Sequence, residues 1–121
     1  MGALLKLIPI GDGKYELAED WNGIPAGFVT DGGSIPRFFW RIIGHPYESD
    51  YIDRYLEHDY DYQTGRIKRK AADKKLRDGL AADGMGWFKR NMVYSAVRVF
   101  GDSHYNNHKN GYAVAKNNED T

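Results

Sequence analysis

Cysteine is absent from the chain. That excludes a disulfide framework, a zinc ribbon, an iron–sulfur site and a thiol nucleophile. Net charge is absent too, since 17 Lys and Arg balance 17 Asp and Glu. A uniformly basic nucleic-acid binder and an acidic disordered tail protein are thereby excluded. The apolar stretches are a few residues long, far short of the roughly 20 that span a bilayer as a helix, so no transmembrane segment is expected. Residues 1–10 carry one Lys and a short apolar run with no small-residue cleavage site after it, so no signal peptide is expected. There is no Gly-x-Ser-x-Gly elbow around Ser34, no phosphate-binding P-loop and no dinucleotide fingerprint, which argues against a serine-hydrolase triad or a nucleotide fold.

What is present suits one small domain. The 121 residues are 41% apolar and 14% aromatic, with 9 Tyr. A chain of this size buries about two-thirds of its surface on folding, and much of this core must be aromatic, with polar tips that need partners. Residues 1–101 read as a single globular domain, and 102–121 as a polar tail expected to be mobile, with a short strand conceivable at Tyr112–Ala115.

The N-terminal third reads as strands. Leu4, Leu5, Leu7 and Ile8 form an apolar run ending at Pro9, and Gly11-Asp12-Gly13 offers a tight hairpin turn. A return strand is predicted from Tyr15 to Trp21, then an Asn22-Gly23 turn and a third strand from Ile24 to Thr30. From Ser34 the period becomes helical. A first helix carries Arg37 to Ile43, capped by Ser34. A second runs from Glu48 to Tyr62, a third from Lys68 to Ala82 with Ala72, Leu76 and Leu80 on one stripe. A fourth runs from Trp87 to Phe100, with Phe88, Met92, Ala96 and Val99 as its buried face and Gly101 as its stop. The expected fold is therefore α+β: a small antiparallel N-terminal sheet packed against three to four α-helices.

Charge is unevenly placed. Residues 48–61 hold six acids and one Arg, a net −5, and residues 66–90 hold nine bases and three acids, a net +6. Adjacent helices of opposite sign attract across a short loop. Alternatively, the basic ridge from Arg66 to Arg90 offers itself to a phosphate-bearing partner.

Two segments carry groups suited to chemistry. In the first, a strand delivers Asp31 to Gly32-Gly33, and Ser34 opens a helix. Glycines let backbone N–H groups or carbonyls approach a ligand or cation, although the same residues serve equally as an Asx turn and a cap. In the second, His58-Asp59-x-x-Tyr62 lies on one helix, with Tyr62 one turn beyond His58 to support its ring. Asp59 points to the apolar side of the helix, where a carboxylate needs a cation or donors. Asp73 falls on the apolar stripe of the third helix, with Arg77 at i+4 as its cheapest partner. Should Asp31, His58, Asp59 and Asp73 converge, the oxygen-rich set suits a divalent cation such as calcium. His104-x-x-x-His108 has ligand spacing, but its Asn- and Gly-rich setting argues against a helical metal site.

Taken in order, Ile24 to Asp31, Ser34-Ile35-Pro36-Arg37, His58-Asp59-Tyr60, Tyr62, Arg69, Ala72-Asp73 and Val97-Arg98-x-Phe100-Gly101 resemble the phage and prophage domain-of-unknown-function family numbered 1353. Gly32-Gly33 and Asp61 depart from its pattern. The resemblance implies a one-domain phage or prophage product, placed in the host cytoplasm or the virion, with phage or host proteins as partners. It implies no activity. A weaker resemblance is to phospholipase A2 domains with a helical His-Asp-x-x-Tyr. It implies His58 as general base, Asp73 as its orienting carboxylate with Tyr62 beside it, and Asp31 with Asp59 at a calcium ion bordered by the Gly32-Gly33-Ser34 turn. Two functions remain open at this point. One is a virion, assembly or host-interaction component with a structural Asp/Ser/His/Tyr cluster, and the other is a metal-assisted hydrolase.

Overall fold

The computed structural model describes residues 5–30, 35–45 and 50–105. Three strands, β1 (Leu7–Gly11), β2 (Lys14–Leu17) and β3 (Val29–Thr30), form an antiparallel sheet in the order β1-β2-β3. A 3-10 turn at Arg37–Phe39 runs into the short helix α1 (Trp40–Ile43), followed by α2 (Ile52–Thr64), α3 (Arg69–Ala82) and α4 (Trp87–Phe100). The α+β expectation holds, with the sheet at the N-terminus and the helices after it.

The turns form where their residues demand. Gly11 pairs with Lys14 across Asp12-Gly13, and both loop residues have positive φ, 56° and 74°. That is the two-residue geometry whose twist suits a hairpin. Asn22-Gly23 repeats it, at φ 50° and 83°, between Trp21 and Ile24, which exchange two backbone hydrogen bonds of 2.9 and 2.8 Å. The strands are shorter than the sequence predicts. The expected return strand to Trp21 stops at Leu17, and the expected strand from Ile24 is regular only at Val29–Thr30. The chain between them folds back locally, with Leu17 bonding both Phe28 and Gly27 through its backbone.

Register puts Leu7 opposite Leu17, and Leu17 is buried with Ile24 against the helices. The core joins these side chains to Ile35, Ile43, Leu56, Leu76, Leu80, Met85, Val93 and Val97. On α3 the predicted stripe of Ala72, Leu76 and Leu80 is buried. The face predicted for α4 needs correction: its buried residues are Val93, Ala96 and Val97, whereas Phe88 is 61% and Val99 68% exposed. Helix α4 is apolar on two sides and acid-free, so periodicity could not choose between them. Tyr105 is buried and donates to the Ile67 carbonyl at 2.8 Å, so packing continues through residue 105. The rest of the predicted tail, including Tyr112–Ala115 and His108, lies outside the described residues.

Two glycines are required where they stand, one by its backbone and one by close approach. Gly65 ends α2 in the left-handed region at φ 66°, the usual helix stop. Gly101 instead has a negative φ, and a Cβ there would stand 2.8 Å from the Tyr62 hydroxyl. It is small because the Val97 carbonyl and the Tyr62 ring occupy the space.

Candidate functional site

Helix α2 buries an unusually polar face: Tyr55, Leu56, His58, Asp59, Asp61 and Tyr62. Such groups need internal partners; the Tyr55 hydroxyl has none among the described residues, whereas the others find them on two sides.

Towards α3 and α4, the partner is one carboxylate. Asp73 is fully buried and His58 only 4% exposed, with His58 Nε2 2.7 Å from Asp73 Oδ1. The Tyr62 hydroxyl donates to the same oxygen at 2.6 Å, and Arg98 Nη1 of α4 donates to Asp73 Oδ2 at 2.7 Å. Three helices therefore meet at one side chain. Burial alone raises the Asp73 carboxyl, but its interactions with His58, then Tyr62 and Arg98, outweigh that and hold it below the usual carboxylate range. An ionised carboxylate only accepts, so the hydrogen between it and His58 sits on Nε2. In the neutral imidazole the basic lone pair then lies on Nδ1. Burial, followed by the Asp73 charge, pushes the Tyr62 phenol well above its ordinary range, so Tyr62 stays a donor.

Behind Tyr62 stands Arg69, 5% exposed. Its Nε donates to the Tyr62 oxygen at 3.3 Å, and its Nη2 donates to the carbonyls of Val97 at 3.0 Å and Arg98 at 2.6 Å. These are carbonyls of the last turn of α4, where a cation is favoured by the helix dipole. Arg69 thus fixes the helix that carries Arg98.

Towards the sheet, α2 presents Asp59. Its Oδ2 accepts from the Thr30 hydroxyl and from Gln63 Nε2 at 3.2 Å, and Gln63 also donates to the Val29 carbonyl at 3.2 Å. Strand β3, which leads directly to Asp31, is thereby held on α2. Asp31, Gly32, Gly33 and Ser34 themselves lie outside the described residues. Among the described residues, no three His, Asp or Glu side chains cluster in a way that could hold a metal ion.

The sequence-predicted residues therefore separate into two groups. His58, Tyr62 and Asp73 come together, and Asp59 turns about a quarter-circle away on the same helix. The expected Asp73–Arg77 pair does not form. Arg77 bonds Asp78 at 3.4 Å and lies over the Tyr94 ring, while Asp73 points into the helix seam. An exposed i+4 pair contributes only about 0.2–0.5 kcal/mol, far less than a buried carboxylate requires. Thr30, Gln63 and the clamping roles of Arg69 and Arg98 were not legible as site features. In the sequence Arg69 and Arg98 are marked only as positions shared with the resembled family, without a role.

Asp61 forms a separate buried site, with Arg66 Nε and with Lys75 Nζ at 3.3 Å, and Lys75 also meets Glu57 at 3.3 Å. Opposite charges on α2 and α3 do attract across their seam. The crevice there, bordered by Glu57, His58, Asp61 and Lys75, leaves no room for a water-sized molecule, so that side offers no approach to the imidazole.

Residues 12–97 match the family model described as "Protein of unknown function (DUF1353)". The chain is similar to "Uncharacterized protein y4jT" of Sinorhizobium fredii (strain NBRC 101917 / NGR234), at 33% identity over 96 residues. That alignment covers 72% of this chain and 29% of the relative, so the chain spans under a third of its length. No solved structure matches the chain. With most of its length inside the family model, including the His58–Asp73 pair, the chain belongs to the DUF1353 family.

Proposed function

We propose that the domain is a hydrolase of the phospholipase A2-like kind, with His58 as general base. The observation that carries this reading is the His58 Nε2–Asp73 Oδ1 contact of 2.7 Å, reinforced by Tyr62 on the same oxygen. Asp73 fixes the tautomer and ring orientation, so Nδ1 is the atom that takes a proton from water. Arg98 and Tyr62 keep Asp73 ionised and in place, so the ring cannot turn away. A divalent cation bound near Asp31 and Asp59 would supply charge to a developing oxyanion. Of the described residues Asp59 offers one carboxylate, already serving Thr30 and Gln63, whereas calcium takes about 6–8 oxygens.

The test is hydrolysis of a soluble p-nitrophenyl ester and of phospholipid in mixed micelles, with calcium, magnesium or manganese added. His58→Asn should lower the rate by about 10²–10⁴-fold, the usual contribution of a positioned base, measured at a temperature where the variant is still folded. A wild-type protein inert to both substrates would remove the reading.

A second reading is favoured by the near-complete burial of His58 and Asp73. In it the cluster is a structural lock in a virion, assembly or host-interaction component of a phage or prophage. His58→Ala would then cost about 1–3 kcal/mol, the penalty of unpaired buried partners, and no substrate would be turned over. A phosphate-bearing partner at the Arg66 to Arg90 ridge is the weaker proposal. Arg66, Arg69, Lys75 and Arg77 are already engaged within the fold, and a salt-independent response to DNA would remove it.

A further inference from the structure

We infer that the outer faces of α1 and α4 form a docking surface for an anionic lipid bilayer. Among the described residues nine large apolar side chains are conspicuously exposed, and six of them belong here: Phe38, Ile42, Trp87, Phe88, Val99 and Phe100. Phe38 is 65%, Trp87 68% and Val99 68% exposed. The patch is continuous at its α1 end, where the rings of Phe38, Phe39 and Phe100 touch with centroids 4.6–5.9 Å apart. Along α4, Phe88 and Val99 fall within about 20° of one line and about 16 Å apart. Between them on that line lie half-buried Met92 and exposed Ser95, so the apolar groups stand as a cluster at the α1 end and a second pair, Trp87 and Phe88, at the start of α4; exposed apolar groups gathered in this way mark an interaction site.

Charge selects the occupant. Residues 35–45 and 85–101 contain Arg37, Arg41, Lys89, Arg90 and Arg98 but no Asp or Glu, in a chain with 17 acids. Arg37, Arg41 and Lys89 are exposed. Of the two acids that flank α4 in the sequence, Asp83 binds Arg54 at 2.8 Å, and Asp102 lies 3.8 Å from Arg69. A second copy meeting this face with its own would set base against base. An anionic bilayer accepts both features at once, with aromatic rings at the headgroup boundary and basic side chains among the phosphates. None of the exposed residues takes part in the His58–Asp73 contacts, so the surface stands whether or not His58 is a base.

Co-sedimentation with vesicles of phosphatidylcholine, with and without phosphatidylglycerol, tests this directly. The protein should bind the phosphatidylglycerol vesicles, less tightly as salt rises, with a blue shift in tryptophan emission that Trp87→Phe abolishes. Phe88→Ser should weaken binding about tenfold, and Arg41→Gln with Lys89→Gln about fivefold each. All these positions are exposed, so unchanged melting temperatures establish that each variant is folded. The inference is overturned by failure to bind anionic vesicles or by binding indifferent to these substitutions. It is equally overturned by a dimer in solution that Phe88→Ser dissociates, which assigns the face to a second copy.

Discussion

The seam between α2, α3 and α4 and the outer face of α4 invert the ordinary distribution of residues. In the seam, His58, Asp73, Tyr62 and Arg69 are buried, and each has a hydrogen-bonding partner. On the outer face, Phe88 and Val99 stand in solvent. Exposed single apolar residues and paired surface charges are common, and it is buried polar networks and large apolar patches that carry information. This molecule shows both, back to back on one helix. The seam has every mark of a region whose geometry is over-determined, with three helices pinned to one carboxylate. The outer face contributes little to the fold, and its composition answers to something outside it.

The seam is most sensitive at Asp73. Asp73→Ala leaves His58, Tyr62 and Arg98 facing one another without their acceptor. It should cost about 3–5 kcal/mol, as removal of one partner from a buried ion pair does, measured by urea denaturation. A loss under about 1 kcal/mol would mean that the seam is not over-determined. Titration sharpens the same point. The folded Asp73 carboxyl lies below its ordinary range, so its contribution is fully present above the unfolded value of about 3.9 and disappears as pH falls through the folded value. Thermal stability should therefore drop below about pH 4, and Asp73→Asn should flatten that limb. Gly101→Ala places a methyl against the Tyr62 hydroxyl and should cost about 1–3 kcal/mol through overpacking, read as a lowered melting temperature. Smallest of all, Phe88→Ser should change stability by less than about 0.5 kcal/mol. A larger loss would show that the outer face is packed after all.

Much of the fold was legible because its signals are local. Asp12-Gly13 and Asn22-Gly23 can hardly do other than turn, and the limits of α4 fall where Gly86 and Gly101 stand on either side of it. Strand lengths were not legible, because Trp21 to Phe28 bonds back onto Leu17 instead of extending a ladder. Of the site, His58 and Tyr62 could be placed together by one helical turn, and Asp73 could be placed inward by its neighbours Ala72 and Leu76. Arg77 was favoured as its partner because sequence spacing sees only contacts along one helix. Arg98 is 25 residues away and reaches Asp73 from another helix.

The amino-acid order alone therefore determined the turns, the helices, the placing of Tyr62 one turn beyond His58 and the inward direction of Asp59 and Asp73, since each depends on neighbours within a turn or two. The tertiary structure decided that Arg98 completes the Asp73 cluster, that Asp59 serves Thr30 instead, and that Val93 and Val97, not Phe88 and Val99, face the core. Those outcomes depend on how whole helices pack: burying a carboxylate demands donors from every side, and a helix apolar on two faces takes its orientation from what it packs against.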